Sequence, residues 1–282
     1  MRFTAISWNL FHGRDFPPDP SLFTWRSRLL GIEERGKTHV QVNRDLASEF
    51  AEVLAGARWD VALLQECPPR FGAPLAEACG AEGHRILTSR NSMSGLRTAL
   101  ARFNPDLIAS SEGGSNVILV RRASALGAIV DERAVAIHVG APERRAMAFV
   151  RTSSSVCVAN LHATNGQPAL AAEDVLKAAQ TSIAWAGDSP LLFGGDLNLR
   201  PGEDPGIFDV LRERFGLSGT TAPGAIDHVL SRDLKIAEAP ASWPAERREL
   251  RRGELALRLS DHAPVEATFE TGKTNAIRAG MR

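Results

Sequence analysis

Side chains able to bind a metal ion or a phosphate recur at the ends of apolar segments of this chain. Asn9 closes the run Arg2–Asn9, and Glu66 follows Asp60-Val-Ala-Leu-Leu-Gln65. Asn160 and His162 end Val156–His162, while Asp196 and Asn198 follow Leu191-Leu-Phe-Gly-Gly195. Asp227 and His228 lie within Ala225–Leu230, and Asp261 with His262 precedes an apolar segment that starts near Pro264. If these ends converge, they form one pocket of carboxylate, amide and imidazole groups. Its oxygen donors suit Mg²⁺ or Mn²⁺, and no cysteine takes part, which argues against a structural zinc site. Each piece alone also has a plain structural reading. An Asn after a strand is a common turn residue, and a lone His is more often a hydrogen-bonded interior group than a catalytic one. The conjunction carries the signal.

The elements that must position these groups follow from the apolar pattern. Alternation along Arg2–Asn9 predicts a strand. Gly13 to Ser21 is polar and Pro-rich and reads as a loop. Val42, Leu46, Phe50, Val53, Leu54 and Ala57 fall at helical spacing, which predicts a helix from about Val40 to Ala57. Asp60–Gln65 reads as a short buried strand, followed by a helix near Pro74–Cys79, a strand near His84–Thr88 and a polar loop over Ser89–Gly95. Strands are then expected at Asn116–Arg121, Ala134–Val139, Ala146–Arg151 and Val156–His162. A helix over Pro168–Ala186, a strand at Pro190–Gly194 and a helix near Ile207–Phe215 come next. The last strands are placed near Ala225–Leu230, Leu234–Glu238 and Pro264–Thr268. Short connections between successive strands suit antiparallel pairing. No break in composition marks a linker, so one catalytic domain is expected over 1–272, with a polar tail at 273–282.

Composition narrows the classes. The chain has 282 residues, 44% of them hydrophobic and 23% charged, enough apolar material for a substantial core. Its 33 basic side chains balance 33 acidic ones. A globally basic nucleic-acid binder is thereby excluded, and any phosphate recognition must be local. The three cysteines, Cys67, Cys79 and Cys157, are too widely spaced for a zinc finger or a disulfide framework and suit a reducing compartment. No apolar run approaches the roughly 18 residues of a membrane span, and the chain opens on a strand pattern rather than a signal peptide. A soluble, cytoplasmic protein is expected, with a monomer favoured.

Six segments taken together resemble the endonuclease/exonuclease/phosphatase superfamily. They are Ser7-Trp-Asn-Leu10, Leu64-Gln-Glu66, Asn160-Leu-His-Ala-Thr164, Gly194-Gly-Asp-Leu-Asn-Leu199, Ile226-Asp-His-Val229 and Ser260-Asp-His262. Any one of them is weak alone; the set, in this order from residue 7 to residue 262, is specific. The resemblance implies an α+β fold, a four-layer α/β/β/α sandwich of two packed mixed sheets flanked by helices, with the site at one edge. It implies that Glu66, with Asn9 and Asp261, holds Mg²⁺ or Mn²⁺, and that Asp196 orients and deprotonates the attacking water. Asn198 would hydrogen-bond the phosphate, His262 would donate to a non-bridging oxygen, Asp227 would orient His262, and His162 would be a second imidazole facing the phosphate. The implied reaction is in-line attack by water without a covalent intermediate. His228 should point to the opposite strand face from Asp227 and is read as structural.

Two positions depart from the family pattern. Phe11 stands where some members have a metal-binding Asp, which puts a second metal ion in question. Where one branch gives the first imidazole a glutamate partner, Glu112 is the nearest candidate. For substrate contact the candidates are Asn116, after Gly113-Gly-Ser115, together with Asn160, Trp243 and Arg248. The last two belong to Trp243–Arg252, whose four arginines suit a polyanion, while the interleaved Glu246 and Glu249 suit a solvated helix equally well. Arg90, Arg97 and Arg102 form a second basic candidate, and Trp25 is read as packing against the core. The leading functional expectation is a phosphodiesterase or nuclease acting on DNA or RNA. The alternative is a phosphatase or phosphodiesterase for an inositol phosphate, a nucleotide or a phospholipid headgroup. A catalytically silent binding module is the third reading, and the intact Glu66, Asp196 and His262 argue against it.

Overall fold

A computed structural model describes residues 1–88, 94–140 and 143–272. In chain order its elements are β1 (Arg2–Asn9), α1 (Trp25–Leu30), β2 (Glu34–Arg35), β3 (Val40–Gln41), α2 (Ala47–Gly56), β4 (Val61–Cys67), α3 (Gly72–Ala78) and β5 (Ala81–Leu87). There follow α4 (Ser94–Phe103), α5 (Pro105–Ile108), β6 (Ser115–Arg121), β7 (Ile129–His138), β8 (Arg145–Thr152), β9 (Cys157–His162), α6 (Pro168–Ala186) and β10 (Leu191–Asp196). The chain closes with α7 (Pro205–Phe215), β11 (Asp227–Arg232), β12 (Leu234–Ser242), β13 (Glu249–Arg252), β14 (Leu255–Arg258) and β15 (Val265–Thr271).

Among the described residues, two large sheets form the centre, a six-stranded one in the order β12-β15-β1-β4-β6-β5 and a five-stranded one in the order β11-β10-β9-β8-β7. Each is mixed: β1 runs parallel to β4 and β9 parallel to β10, while the other neighbours are antiparallel. A parallel pair needs a crossover, and α2 and α6 lie in those two connections.

Strand alternation then makes four layers. Phe3 and Ala5 of β1, with Val61 and Leu63 of β4, face Ala148, Val158 and Leu192 of the other sheet. The opposite face of β1 and β4, including Ile6, Trp8 and Leu64, packs on Phe50 and Leu54 of α2 and Leu75 of α3. Phe149, Ala159 and Phe193 likewise pack on Val175 and Ala178 of α6 and Leu211 of α7. Burying side chains of this size stabilises by roughly 1.5–3 kcal/mol each, so a charge at Val175 would separate α6 from its sheet. The result is the α/β/β/α sandwich. Towards the carboxyl ends of β4 and β9 the interface between the sheets turns polar: Gln65 Nε2 donates to Asn160 Oδ1 at 2.7 Å, and Asn160 Nδ2 donates to the carbonyls of Leu64 and Val117.

Several boundaries differ from the pattern-based expectation. The helix expected from Val40 starts only at Ala47, because Val40–Gln41 pairs with Glu34–Arg35 and Val42 N donates to the Asp15 carboxylate at 3.0 Å. Asp45 Oδ1 then accepts from Ala47 N at 2.9 Å and opens the helix. The arginine run, open between a polyanion grip and a solvated helix, is a short 3-10 turn at Ala245–Arg248 followed by the β13–β14 hairpin, in which Glu249 faces Arg258 and Leu250 faces Leu257. α1, α4 and α5 were not anticipated. Most of the expected loop over Ser89–Gly95, Arg90 included, and the tail at 273–282 lie outside the described residues, and Ser94 and Gly95 open α4. No helix among the described residues is long and apolar enough to cross a membrane.

Candidate active site

Sheet register gathers the side chains that the sequence singled out. Asn9 lies beside Gln65, the residue before Glu66, across the parallel β1–β4 pair. Asp196 lies beside His162 across the β9–β10 pair and beside Asp227 across the antiparallel β10–β11 pair. Gly194 and Gly195 make that crowding possible: a Cβ at Gly195 would stand 1.8 Å from the Leu161 carbonyl oxygen, and one at Gly194 2.4 Å from that of His228. Any larger residue would push β9 or β11 away and open the cluster around Asp196.

The Asp261–His262 loop is pinned from below. Ser260 Oγ donates to the Asn9 carbonyl at 2.7 Å and accepts from His262 N at 3.0 Å. The buried Trp8 donates through Nε1 to the His262 carbonyl at 3.0 Å. Arg248 Nη1 donates to the carbonyls of Leu259, at 2.6 Å, and of Ser260.

The cluster centres on Asp196. Its Oδ2 accepts from Asn9 Nδ2 at 2.9 Å, and its Oδ1 accepts from Asn198 N at 3.1 Å. His162 Nε2 is 3.4 Å and His262 Nε2 is 4.0 Å from the same Oδ2. His262 Nδ1 is bonded to Asp227 Oδ2 at 2.7 Å, and its Nε2 is 3.9 Å from Asp261 Oδ1. On the far side, Glu66 Oε1 is 3.7 Å from His162 Nε2, and Glu66 Oε2 is 3.1 Å from His12 Nε2. Asp227, Asp261 and His262 line a cleft of about 240 Å³.

Burial and neighbouring charge then set the protonation states. Burial would lift Glu66, but the positive fields of His12, His162 and His262 outweigh it and hold the carboxyl at about 2. Asp196 moves upward, because burial and the nearby Asp227 charge both disfavour its anion. Burial opposes a charge on His262, yet Asp227, Asp196 and Asp261 together raise it to about 10. His162 falls to about 3 through burial and the adjacent Arg145 guanidinium. Burial raises Asp261 as well.

Glu66 and Asp261 offer two carboxylates, and Asn9 an amide oxygen that already accepts from Phe11 N and has one lone pair left, a hard donor set that fits a divalent cation of the Mg²⁺ or Mn²⁺ kind. A second group, Asp196, Asp227 and His262, places one donor atom of each within 4.8 Å of the others. A ring bonded to Asp227 and held protonated to about 10 donates rather than ligates, so the Glu66 side suits the metal better.

The family model for the endonuclease/exonuclease/phosphatase family matches residues 6–262. The chain belongs to that family. Its members are phosphoesterase hydrolases, generally dependent on divalent metals. No curated protein sequence matches the chain. Among solved structures, a mannosyl-6-phosphatase from Bacteroides thetaiotaomicron superposes with a TM-score of 0.62 at 14% identity, over 95% of this chain and 99% of that one. The human Nocturnin catalytic domain with bound sulfate gives 0.60 at 13% identity, over 95% and 94%. TDP2 from C. elegans gives 0.57 at 16% identity, over 95% and 75%. At these identities the likeness establishes the shared fold.

Within this family site the structure brings together Asn9, Glu66, His162, Asp196, Asp227, Asp261 and His262. Asn198 is beside them, its Nδ2 donating to the Ala163 carbonyl at 3.1 Å. His228 points away from Asp227 and is buried between the Leu199 carbonyl, 3.2 Å from Nε2, and Thr221 N, 3.2 Å from Nδ1.

Five other expectations are corrected. Asn160 is fully buried as the link between the two sheets, so it offers nothing to a substrate. Asn116 is fully buried too, with Nδ2 donating to the Ala146 carbonyl at 2.9 Å. Trp243 is packed in the core with Nε1 on Glu266 at 2.8 Å, and Arg247 rather than a base covers its ring. Arg248 is turned inside onto the carbonyls of Leu259 and Ser260, just before Asp261, so it is not free to grip a polyanion. Glu112 pairs with Arg70, not with His162.

In its place Arg145, at the start of β8, reaches His162, with Nη1 3.4 Å from Nδ1. His12 is the other group that the strand-end reading passed over. It lies three residues beyond Asn9 in a Phe-His-Gly turn, and that proximity was the available signal.

Proposed function

We propose that this protein is a divalent-metal-dependent phosphoester hydrolase that works by in-line attack of water, with residues 1–272 as one catalytic domain. The arrangement of Asp227, His262 and Asp196 carries the reading. It sets a protonated imidazole and a carboxylate of raised pKa 4.0 Å apart, one group able to donate and the other able to accept a proton. Asp196 takes the proton of the attacking water at a carboxylate oxygen. His262 donates from Nε2 to a non-bridging oxygen while Asp227 keeps the ring charged and oriented. Asn198 gives one amide hydrogen to Ala163 and keeps the second for the phosphate. His162 presents Nε2–H, because the Arg145 guanidinium on Nδ1 requires the lone pair there. Asn9, Glu66 and Asp261 would hold the metal, Mg²⁺ or Mn²⁺, and such an ion would supply positive charge to the phosphate and the leaving oxygen.

For the substrate, the buried Trp243 and Arg248 remove two supports for a nucleic-acid polymer. What favours a nucleotide-containing diester is an aromatic run beside the site: Arg14 lies over the Phe11 ring at 3.7 Å, Phe11 meets Phe16 at 5.8 Å and Phe16 meets Phe23 at 5.7 Å, the last two rings exposed. Such rings can stack on bases. Zero net charge favours the second reading, a small phosphoester such as a sugar or inositol phosphate, and a mannosyl-6-phosphatase shares the fold. Three free, buried cysteines suit a reducing compartment.

The test is parallel hydrolysis of an aryl phosphodiester, an aryl phosphomonoester and a plasmid, with Mg²⁺, Mn²⁺ or chelator, beside Asp196→Ala and His262→Ala. Metal-dependent plasmid nicking lost in both variants supports the nuclease reading. Monoester turnover with an intact plasmid transfers the proposal to the small substrate. Turnover untouched by chelator or by either substitution would overturn it.

A further inference from the structure

Asn9 is followed by a turn that its sequence makes costly. The backbone is left-handed at Phe11 (φ 48°), at His12 (φ 53°) and at Gly13 (φ 73°), and again at Glu66 (φ 45°) on the neighbouring strand. Only the glycine adopts this conformation freely, and at each of the other residues the backbone is strained. The turn is locked all the same. Phe11 N donates to Asn9 Oδ1 at 3.0 Å, Gly13 N to the Leu10 carbonyl at 2.8 Å and Arg14 N to the Phe11 carbonyl at 3.2 Å. A Cβ at Gly13 would stand 2.7 Å from the Phe71 ring, so no other residue fits there. Strain held by so many contacts has a local product, and here it is the direction of one side chain. His12 is turned so that Nε2 lies 3.1 Å from Glu66 Oε2.

We propose that His12 is a further ligand of the catalytic metal, placing an imidazole nitrogen beside the Glu66 carboxylate and giving the site a preference for Mn²⁺ over Mg²⁺. The inference rests on the metal-dependent reading of this site. Adjacent ligands of an octahedral ion with bonds near 2.1 Å stand about 3 Å apart, so the spacing between His12 and Glu66 needs little adjustment to take the ion. Imidazole suits first-row transition ions, whereas Mg²⁺ keeps to oxygen. The position matters because Phe11, two residues past Asn9, offers no donor, and His12 brings one back from the same turn with a different atom type.

His162, the other imidazole near Glu66, is a poorer ligand. Arg145 donates to its Nδ1, so the proton resides on Nε2, the atom facing Glu66 Oε1 at 3.7 Å and Asp196 Oδ2 at 3.4 Å. His262 is bonded through Nδ1 to Asp227. Of the three rings near Glu66, His12 stands closest to its carboxylate.

The experiment is direct Mn²⁺ binding without substrate, read by the free-ion electron paramagnetic resonance signal, by pulsed detection of directly bonded nitrogen, and by Mg²⁺ competition. It uses the full chain with His12→Ala, His12→Gln and His162→Ala, each checked for an unchanged thermal melt. The expected result is nitrogen coupling in the parent and in His162→Ala, absent from both His12 variants. Mn²⁺ affinity should fall about 10- to 100-fold in His12→Ala, as for loss of a group supporting a metal site, with Mg²⁺ affinity changed less than about threefold. Coupling and affinity retained in His12→Ala, or coupling lost only in His162→Ala, would overturn the proposal while leaving a metal site. Absence of Mn²⁺ and Mg²⁺ binding in the parent would overturn both this inference and the metal-dependent reading beneath it.

Discussion

His162 and His262 approach the same oxygen of Asp196, at 3.4 and 4.0 Å, and their environments drive them to different charge states. Both rings are withdrawn from water, which by itself drives an imidazole towards neutrality. The difference lies one residue further out. His262 has Asp227 on Nδ1 at 2.7 Å and is raised to about 10, whereas His162 has Arg145 on Nδ1 at 3.4 Å and is lowered to about 3. One half of the site therefore holds a cationic donor and the other a neutral one with a fixed tautomer. The side chains on the far side of each ring, not the rings themselves, divide the work.

The largest effect should come from removing the charged half. His262→Ala and Asp196→Ala are each expected to lower kcat/KM by about 10³-fold or more, since each deletes a group aimed at charge or a proton in the transition state. His162→Ala should lose less. Equal losses in all three variants would erase the asymmetry. A milder way to break it is Asp227→Asn, which keeps the shape and removes the anion. The His262 pKa should then fall from about 10 towards its ordinary 6.5. With His262 acting protonated, as proposed, the rate falls as pH rises through that pKa, so the alkaline limb should move down to near neutrality. At pH 8 the variant should lose about 10- to 100-fold in rate. A limb unmoved by the substitution would separate Asp227 from the charge of His262.

Arg145→Met tests the neutral half and should act more weakly still. Removing the guanidinium should raise the His162 pKa from about 3, only part of the way, because burial remains as the larger cause. Nitrogen-15 titration of the labelled ring would report it, with a rate change below about tenfold expected. A ring that still titrates where it did before would leave burial as the whole explanation.

What the sequence disclosed, and what it withheld, follows the same division. β1 and α6 lie where alternation and 3.6-residue spacing put them, because each buries a face against a regular partner. The gathered site residues were legible since each stands within or next to a segment readable as a strand, and parallel register alone then brings Asp196 beside His162. The start of α2 was not legible: Val42 and Leu46 keep helical spacing, yet Val42 is held extended by Asp15, a residue far back in the chain. Trp243, Arg248, Asn116 and Asn160 failed as substrate contacts for a similar reason. A polar side chain near a site reads alike whether it faces the cleft or a carbonyl beneath it, and only tertiary partners decide. Arg145 and His12 were missed in turn because their partners, His162 and Glu66, lie far away in sequence.

Asp15 extends the comparison to a carboxylate outside the candidate site, with the smallest expected effect on rate and a readout in stability instead. Among the described residues both Asp227 and Asp15 are buried with an unpartnered Oδ1, but Oδ2 of Asp227 faces an imidazolium whereas Oδ2 of Asp15, 1% exposed, accepts from the neutral Val42 N. Burial raises its pKa to about 8, with the Val42 hydrogen bond and the Arg14 charge offsetting only part. A carboxyl whose folded pKa lies above its unfolded value binds the proton more tightly when folded. Its contribution to stability is full below pH 4 and is lost progressively as pH rises to about 8, then stays level. Asp15→Asn keeps an acceptor for Val42 N and cannot ionise. Any strain or unpaired amide it introduces is the same at every pH, so the change with pH isolates the titration. Relative to the parent, the variant should gain about 2–5 kcal/mol in unfolding free energy between pH 4 and pH 9, measured by urea denaturation. A difference between variant and parent that does not change with pH would mean that Asp15 is neutralised as effectively as Asp227, and that Arg14 serves it as His262 serves its partner.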